Sequence, residues 1–326
     1  MKRNIVLIFC LYCLFPQFIH AQYGLWPVKE GDKWHYIDRS GRTAIPGPYD
    51  HARLHHEGLG AVDYYGYWGF IDTLGKIKIN PQYSDVYDFS DGLAAVQKEN
   101  QWGFLDMAGK TIIPLQYTEV RNFSDSLAAF RLGTKWGFID RAGKTVIDPQ
   151  FVETSNFSDG IVAVRIGAIW GYVDKKGNYT INPQFEKARD FKQGLAAVRK
   201  NNKWGYIDKQ GKIVIPFQFA EAGNFTEDLA AVRIGKLWGF INREGKYEIN
   251  PQYDDEFGMD IRDREFTEGL AAVKIAGRWG FIDRTNKVIL PGQYTSARKF
   301  HDGLAEIRDS GNRGYTSKSG SVLWTK

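Results

Sequence analysis

Residues 93–113 read LAAVQKENQWGFLDMAGKTII, and this stretch contains the pattern that decides the fold. Its first four residues, LAAV, form a short segment that is apolar on both faces. Trp102 and Phe104 lie on one face of the next segment, because side chains along a strand alternate with a period of two. After a turn, Thr111 and Ile113 again point the same way. The stretch therefore predicts three short antiparallel strands.

The same pattern recurs through the chain at a step of 34 residues. Nine units account for the region from Leu25 to Trp324, and seven extra residues at 254–260 interrupt the spacing once. A unit of this length cannot bury a core alone. Neighbouring units must therefore cover one another in a quasi-one-dimensional array. The tryptophans that mark the step are Trp34, Trp68, Trp102, Trp136, Trp170, Trp204 and Trp238, and Trp279 follows after the extra residues.

These features predict an all-β fold, a tandem array of nine units of about 34 residues, each a three-stranded β-meander. Two closures are possible, a propeller-like toroid and an open β-superhelix. Alanine pairs such as Ala94-Ala95 favour the toroid, because small residues suit the crowded innermost strand of a radial arrangement. Propeller blades usually have four strands, and closed rings usually have about four to eight blades, so nine three-stranded units match this architecture only in part.

The turn between the second and third segments of each unit reads Asp-x-x-Gly six times, for example from Asp72 to Gly75. Asn242 and Ser317 replace the aspartate, and Asn286 replaces the glycine. Asp, Asn and Ser share a side-chain oxygen that caps a turn, and Asn tolerates a positive φ better than other non-glycine residues. We therefore predict a hairpin turn with a left-handed fourth residue and not a calcium site, since the alternating carboxylates of a calcium loop are missing.

Residues 1–21 have the pattern of a signal peptide. Two basic residues precede an apolar run at 5–15, and Ala21 provides the small residue before the cut. Cys10 and Cys13 are the only cysteines and lie within this segment. The mature chain is therefore predicted to lack disulfides and thiol chemistry. We expect one domain at 22–326, exported to the periplasm, the cell envelope or the medium.

The charge is close to balanced, with 43 Lys+Arg against 38 Asp+Glu and a formal net charge of +5. General nucleic-acid binding requires a clearly basic domain, so it is not expected here. No stretch is long and apolar enough for a transmembrane segment.

Residues 135–140, KWGFID, and residues 203–208, KWGYID, are similar to the core of the WG-repeat (KWG-type) family of bacterial proteins. The resemblance extends from about Leu25 to Trp324. His35 replaces the glycine of this core in the first unit, and Arg313 replaces the tryptophan in the last, as capping units allow. The resemblance implies an all-β repeat array in exported proteins that serve as interaction scaffolds, with no catalytic residues and no cofactor.

Two departures from the repeat are candidates for chemistry. His51, His55 and His56 lie close together in sequence and could converge on a metal, but no H-E-x-x-H or Cys-His spacing accompanies them. The extra residues 254–260 read DDEFGMD, and paired carboxylates can hydrolyse glycosidic bonds. Solvated loops are the favoured interpretation of both, so we expect neither a metal nor a catalytic residue.

The residue after LAAV is basic in seven of the nine units, in a chain that is nearly neutral. One interpretation is structural, because a cation there can stack on the tryptophan of the adjacent strand. The other is a positive stripe that attracts anions. We name this set the basic column, and its candidate binding residues are Arg131, Arg165, Arg199, Arg233, Lys274 and Arg308.

The sequence thus predicts an exported, non-enzymatic repeat scaffold that mediates protein–protein interaction, and we expect a monomer. A glycan- or peptidoglycan-binding module is the alternative, and a hydrolase at the acidic insertion is the less favoured one. The partner is therefore an unidentified protein or a cell-envelope glycan.

Overall fold

The computed structural model describes residues 24–254 and 261–324, with only the backbone of Trp324. The predicted signal peptide and residues 255–260 of the predicted insertion lie outside the described residues. The described chain folds into nine antiparallel sheets, one for each repeat unit in sequence order. We number these sheets as blades 1 to 9.

A complete blade has four strands, which we name inner, second, third and outer in chain order. The inner strands are His51–His56, Asp85–Val86, Glu119–Val120, Glu153–Thr154, Lys187–Ala188, Glu221–Ala222 and Ser296–His301. The second strands are Trp26–Glu30, Leu59–Tyr64, Leu93–Lys98, Leu127–Leu132, Ile161–Ile166, Leu195–Lys200, Ala230–Ile234, Leu270–Ile275 and Leu304–Asp309.

The third and outer strands complete each meander. The third strands are Lys33–Ile37, Tyr67–Asp72, Gln101–Asp106, Lys135–Asp140, Ile169–Asp174, Lys203–Asp208, Leu237–Ile241, Arg278–Asp283 and Asn312–Ser317. The outer strands are Thr43–Tyr49, Ile77–Tyr83, Thr111–Tyr117, Thr145–Phe151, Tyr179–Phe185, Ile213–Phe219, Tyr247–Asp254, Val288–Tyr294 and Val322–Trp324.

Seven of the nine sheets have four strands, so the predicted count of three strands per unit is wrong for these blades. Within the described residues, blades 1 and 8 have three, and a short 3-10 helix at Ile261–Arg264 precedes blade 8 in place of an inner strand. That helix is the only one in the described part of the chain, where no helical segment is therefore long enough to cross a bilayer.

The second and third strands are buried on both faces because a neighbouring blade covers each face. In blade 4, Ala129 and Phe138 pack into the core shared with blade 5. Ala128 and Ile139 pack into the core shared with blade 3. The alanine pairs thus permit the close approach that the sequence predicted, but they lie in the second strand and not in the innermost one.

The glycine of each Trp-Gly pair marks a close approach between the third and outer strands. In blade 4 the pairing shifts register between Trp136 and Phe138, opposite the outer strand. A Cβ atom at Gly137 would lie 2.5 Å from the carbonyl oxygen of Ile147 and 2.8 Å from the backbone nitrogen of Pro149. In blade 4 the glycine therefore leaves the two backbones room to pair at this point.

The Asp-x-x-Gly turns have the predicted geometry. In blade 4 the Asp140 Oδ1 accepts hydrogen bonds from the backbone N–H groups of Ala142 and Lys144, each at 2.9 Å. Gly143 has a φ of +81°, and Asn286, its equivalent in blade 8, has a φ of +68°. The side-chain oxygen therefore caps the turn, and the fourth residue is left-handed.

An aromatic pair connects each blade to the next from blade 2 onward. Phe138 of blade 4 meets Phe157 of blade 5 edge to face, with ring centroids 4.9 Å apart. Six other junctions repeat the pair at 4.8 to 4.9 Å. Between blades 1 and 2, His55 takes the place of the phenylalanine, with its ring 4.8 Å from that of Tyr36. Edge-to-face pairs add stabilisation beyond the area they bury.

A hydrogen bond from each blade to its neighbour runs alongside these aromatic pairs. The Oδ2 of Asp125 accepts from the backbone N–H of Gly160 in the next blade at 2.8 Å. The bond recurs at seven consecutive junctions, from blade 2 to blade 9. The other acceptors are Glu57, Asp91, Asp159, Gln193, Glu227 and Glu268.

The first and last blades close the ring. Trp26 and Val28 of blade 1 share a core with Leu304 and Tyr315 of blade 9. The Tyr315 hydroxyl donates a buried hydrogen bond of 2.9 Å to the carbonyl oxygen of Pro27. The chain is a nine-bladed propeller, and the prediction that favoured the toroid over the superhelix is confirmed.

Replacing Tyr315 with phenylalanine tests this closure. Phenylalanine occupies the same position in blade 8, as Phe281, so the ring itself fits the column. We expect the free energy of unfolding to fall by about 1–2 kcal/mol, because the buried carbonyl oxygen of Pro27 loses its donor. Chemical denaturation measures the change. Tyr247→Phe, on an exposed position of an outer strand, is the matched control and should change stability by less than about 0.5 kcal/mol.

Candidate functional site

The inner strands of blades 5, 6 and 7 line a single cavity of about 1040 Å³ at the centre of the ring. Trp170, Trp204 and Trp238 line it together with charged side chains of both signs. Ala168 and Lys236, which lie in the turns between second and third strands, also line it. The cavity therefore opens toward the side of the ring where these turns project, which we name the hairpin face.

The predicted basic column lies directly opposite the tryptophans, one strand away. In blade 5, Arg165 pairs with Trp170 across the second and third strands, and the other blades repeat this register. Arg165 and Arg233 line the cavity. The structure therefore brings two members of the column, from blades 5 and 7, to the wall of one cavity.

Carboxylates neutralise part of this column. Three ion pairs join it to the inner strands or to the segments just before them, and Arg308 lies 4.0 Å from Glu306. The pairs are Arg131–Glu119 at 2.8 Å, Arg165–Glu153 at 3.0 Å and Arg199–Glu186 at 3.0 Å. Arg233 instead donates to the backbone carbonyl of Gly235 at 2.9 Å. Lys274 pairs in register with Trp279.

Stacking of the column on tryptophan occurs only at the edge of the usual range. The guanidinium carbons of Arg131 and Arg233 lie 6.0 and 5.8 Å from the ring centroids of Trp136 and Trp238. Cation–π attraction requires a distance within about 6 Å. The stacking interpretation therefore describes Arg131 and Arg233 only at the limit of the distance range, and ion pairs are the closer contacts of Arg131, Arg165 and Arg199.

A second set of arginines, which the sequence reasoning missed, provides the closer stacking. These arginines stand 15 residues before the tryptophan that they cover. They lie within or just after the inner strand in blades 2, 4 and 6 and at the end of the 3-10 helix in blade 8. The distances from guanidinium to ring are 4.4 Å for Arg53 on Trp68, 5.1 Å for Arg121 on Trp136, 4.8 Å for Arg189 on Trp204 and 5.1 Å for Arg264 on Trp279. We name these four residues the stacking arginines, and they occupy blades 2, 4, 6 and 8.

The blades between them have other residues at this position. Tyr87 stacks on Trp102 in blade 3, with ring centroids 4.8 Å apart. Blade 7 has Gly223, and there Arg264 of blade 8 reaches over Trp238 at 4.6 Å. Blade 5 has Ser155. Among the residues that the structure describes, no cation or aromatic ring covers Trp170, and its side chain is partly exposed to the cavity.

The hairpin face bears uncovered apolar side chains around the mouth of the cavity. In blade 5, Ile166 and Ile169 face each other across the hairpin and are 39% and 43% exposed. Ile234 and Leu237 do the same in blade 7 at 41% and 40%. Clustered exposed apolar residues of this kind are typical of interaction surfaces.

The family model of the WG-containing repeat matches seven consecutive stretches of the chain, at 68–102, 102–136, 136–168, 170–204, 204–238, 238–279 and 279–312. The chain belongs to the WG-containing repeat family. A search of curated proteins gives no match.

Three solved structures match most of this WG-repeat propeller at low sequence identity. A structure described as that of the eukaryotic initiation factor matches with a TM-score of 0.63 at 12% identity, over 92% of this chain and 96% of that one. AztD from Citrobacter koseri matches with a TM-score of 0.46 at 10% identity, over 93% and 94%. Hsv2 from Kluyveromyces lactis matches with a TM-score of 0.41 at 9% identity, over 83% and 95%. At these identities the similarity concerns the fold alone.

The three histidines of the predicted metal candidate have separate environments in the WG-repeat propeller. His55 is buried, and its Nε2 lies 3.3 Å from the carbonyl oxygen of Asp72. His51 stacks on Trp68, and His56 lies 3.5 Å from a carboxylate oxygen of Asp88. Within the described residues no three His, Cys, Asp or Glu side chains converge as a metal site requires.

Burial is the main cause of the pKa shifts of His55 and Asp88. It lowers the pKa of His55 to about 4, which keeps the ring neutral at physiological pH. It also raises the pKa of Asp88, against the opposing attraction of His56 and Arg53. These shifts belong to the packing between blades 1, 2 and 3 and not to the cavity.

Asp254 is the one residue of the predicted insertion that the structure describes. It ends the outer strand of blade 7 and lines the cavity, on the same side as Glu221 and Lys236. The insertion thus begins at the edge of the candidate site.

Proposed function

We propose that this WG-repeat propeller is an exported, non-enzymatic scaffold whose hairpin face binds a protein partner. The observation that carries this proposal is the concentration of uncovered apolar and cationic side chains around one cavity mouth. Ile166, Ile169, Ile234 and Leu237 flank the hairpin of blade 6, whose ends are Lys200 and Lys203. Exposed apolar pairs next to lysines provide the mixed surface that protein interfaces use.

The roles of the polar residues support a function in binding. The aspartates of the Asp-x-x-Gly turns cap their own turns. The acids in the turn before the second strand, such as Asp125, accept a hydrogen bond from the backbone of the next blade. These carboxylates are therefore occupied in holding the fold together. The predicted signal peptide supports export to the periplasm, the cell envelope or the medium.

Site-specific photo-crosslinking tests the proposal. A benzophenone amino acid replaces Ala168, which is exposed in the hairpin of blade 5. The same residue replaces Ala142, which is exposed in an Asp-x-x-Gly turn on the opposite side of the ring. We expect a crosslinked protein from position 168 and none from position 142 in cells that express the chain. Equal products from both positions, or none from either, would exclude the hairpin face as the binding surface.

The basic column contributes charge to this surface. Changing Arg131, Arg165, Arg199 and Arg233 together to glutamine removes four cations but keeps the long side chains. We expect a stability loss of about 0–1 kcal/mol per site, because the ion pairs are partly exposed. Partner binding should weaken more than stability does, and its dependence on salt should flatten because exposed charges are screened beyond about 8–10 Å. Denaturation and binding titrations at two salt concentrations measure both. Unchanged binding with lowered stability would make the column purely structural.

A glycan- or peptidoglycan-binding module is the second candidate, and the uncovered face of Trp170 favours it. Sugars stack on exposed indole rings, so a glycan ligand should shift the tryptophan fluorescence of the protein. A hydrolase is the third candidate, because Asp254 places the start of the acidic insertion at the cavity. Deletion of residues 255–260 should then abolish a hydrolytic activity, whereas a scaffold should still capture its partner.

A further inference from the structure

The junction between blades 5 and 6 departs from a rule that two other junctions of the ring follow. At the junction of blades 6 and 7, Arg189 lies over Trp204 at 4.8 Å. Its Nη2 contacts Glu221 of the next inner strand at 2.7 Å, and its Nε donates to the carbonyl oxygen of Ala222 at 2.7 Å. One guanidinium thus covers the tryptophan and neutralises the acid that begins the next blade.

Blades 2 and 3 repeat this arrangement. Arg53 lies over Trp68 at 4.4 Å, donates to the carbonyl oxygen of Val86 at 2.6 Å and contacts Asp85 at 3.3 Å. The rule is therefore an arginine on the tryptophan and an acid at the first residue of the next inner strand.

Both parts of the rule are reversed at the junction of blades 5 and 6. Ser155 stands where Arg53 and Arg189 stand, and it leaves Trp170 uncovered within the described residues. Lys187 stands where Asp85 and Glu221 stand. An aromatic face and a cation thus line the cavity together, where the junctions of blades 2 and 3 and of blades 6 and 7 have a covered aromatic ring and a neutralised acid.

The balance of charge around the cavity is also positive. Among the described residues, five bases and four acids line it. Three of the acids, Glu153, Glu186 and Glu221, each have an arginine partner at 3.0 Å or less, and the fourth is Asp254. Lys187, Arg233 and Lys236 line the cavity, and none of the three has a carboxylate partner in the described part of the chain. A ligand that enters must supply negative charge to neutralise them.

We propose that the cavity and the hairpins above it bind an acidic peptide segment of a protein partner. Its carboxylates pair with Lys187, Arg233 and Lys236, and an apolar side chain packs on Trp170. This inference rests on the proposed function and specifies the chemistry of the partner.

The rim of the cavity favours a peptide over an acidic glycan. The isoleucine pair of blade 5 and the Ile234–Leu237 pair of blade 7 stand on either side of the lysine pair of blade 6. An extended peptide can present apolar and charged side chains in alternation. This alternation matches the hairpins of blades 5, 6 and 7, which are aliphatic, cationic and aliphatic in turn. A sugar chain has little aliphatic surface with which to cover four branched side chains.

The test introduces the missing arginine and acid at the junction of blades 5 and 6. The double variant Ser155→Arg/Lys187→Glu gives blades 5 and 6 the residues that blades 6 and 7 already have, so we expect it to fold with unchanged or higher stability. Tyr87→Arg in blade 3 is the matched control. It places the same arginine over Trp102, next to the acid Glu119, outside the 1040 Å³ cavity.

The probes are an array of hexapeptides in which acidic and apolar content vary independently, and fluorescein-labelled oligogalacturonate as an acidic sugar. We expect the wild-type protein to bind peptides that are both acidic and apolar. The double variant should bind them at least about tenfold more weakly, and Tyr87→Arg should match the wild type. Higher salt should weaken the binding of the wild type.

The outcomes separate this inference from the proposed function. Binding of oligogalacturonate but not of peptides, equal binding by the folded double variant, or binding of no acidic peptide would each overturn the inference. If position 168 still crosslinks a protein in those cases, the scaffold function stands and only the chemistry of its partner is wrong. If position 168 crosslinks nothing, the proposed function itself fails.

Discussion

Replacing Gly137 with alanine is expected to lower the free energy of unfolding by about 3 kcal/mol, at the upper end of the usual cost of overpacking. The added Cβ would lie 2.5 Å from the carbonyl oxygen of Ile147 and 3.0 Å from the carbonyl carbon of Asp148. These are backbone atoms of the outer strand, and they cannot move aside as a flexible side chain can. The strands must separate, which breaks their hydrogen bonds and opens the core behind Phe138.

Gly223→Ala is the control for this prediction. Gly223 is a glycine near the cavity without a positive φ, and a Cβ there would meet nothing closer than 3.4 Å. Its replacement should change stability by less than about 0.5 kcal/mol. Urea denaturation of both variants gives the comparison. Equal stability of the two alanine variants would show that the close approach at Gly137 relaxes without cost.

The second large effect is a dependence of stability on pH that comes from His55. Burial holds the pKa of His55 at about 4 in the folded chain, against 6.5 for an unburied histidine. The unfolded chain therefore binds the proton more readily, and stability falls as the pH is lowered from 6.5 to 4. The difference of about 2.5 pKa units corresponds to about 3 kcal/mol over this window.

The variant His55→Phe should remove this loss. Phenylalanine occupies the equivalent position in blades 3 to 9, for example Phe89, where it packs edge to face on the preceding blade. Above pH 6.5 the variant should be as stable as the wild type or more so. Thermal unfolding of both proteins between pH 4 and 8 measures the difference, which should grow as the pH falls. Parallel curves for the two proteins would mean that His55 is not the titrating group.

Much of the fold was predictable because the repeat samples each position many times. The Asp-x-x-Gly turns, the apolar faces of the second and third strands and the number of units all follow from columns that recur. Asn286 in place of glycine strengthened the turn prediction, since asparagine also tolerates the positive φ that the position requires. The sequence assigned Arg313 to a capping unit, but the ring closes, and Arg313 lies 5.0 Å from the ring of Trp34 in blade 1.

The inner strands were not predictable in the same way. Most consist of two residues, such as Asp85–Val86 and Lys187–Ala188, and two residues contain no alternation that a periodicity could reveal. Their position at the centre depends on ring closure, which is a property of the whole array. The alanine pairs were placed innermost because small residues fit any crowded strand, and the second strand is crowded by both neighbouring blades.

The candidate site could be predicted from the sequence only in part, because its stacking arginines do not recur in every unit. The residue after LAAV or its equivalent is basic in seven of the nine units, so the basic column was easy to see. The stacking arginines stand 15 residues before the tryptophan that they cover and are absent from blades 3, 5 and 7. A search of the columns at a period of two units would have found them.

The placement of the stacking arginines has a consequence for how such a ring can change size. Arginines in alternate blades can repeat around a ring without interruption only if the number of blades is even, and this ring has nine blades. The mismatch falls between blades 8 and 9, where Arg264 and Arg298 both occupy the position, beside the seam at which the two ends of the ring meet. The propeller is in this sense four two-blade modules and one closing blade. Duplication of a whole two-blade module would preserve the alternation of the stacking arginines, whereas insertion of a single blade would place two like neighbours in the interior of the ring.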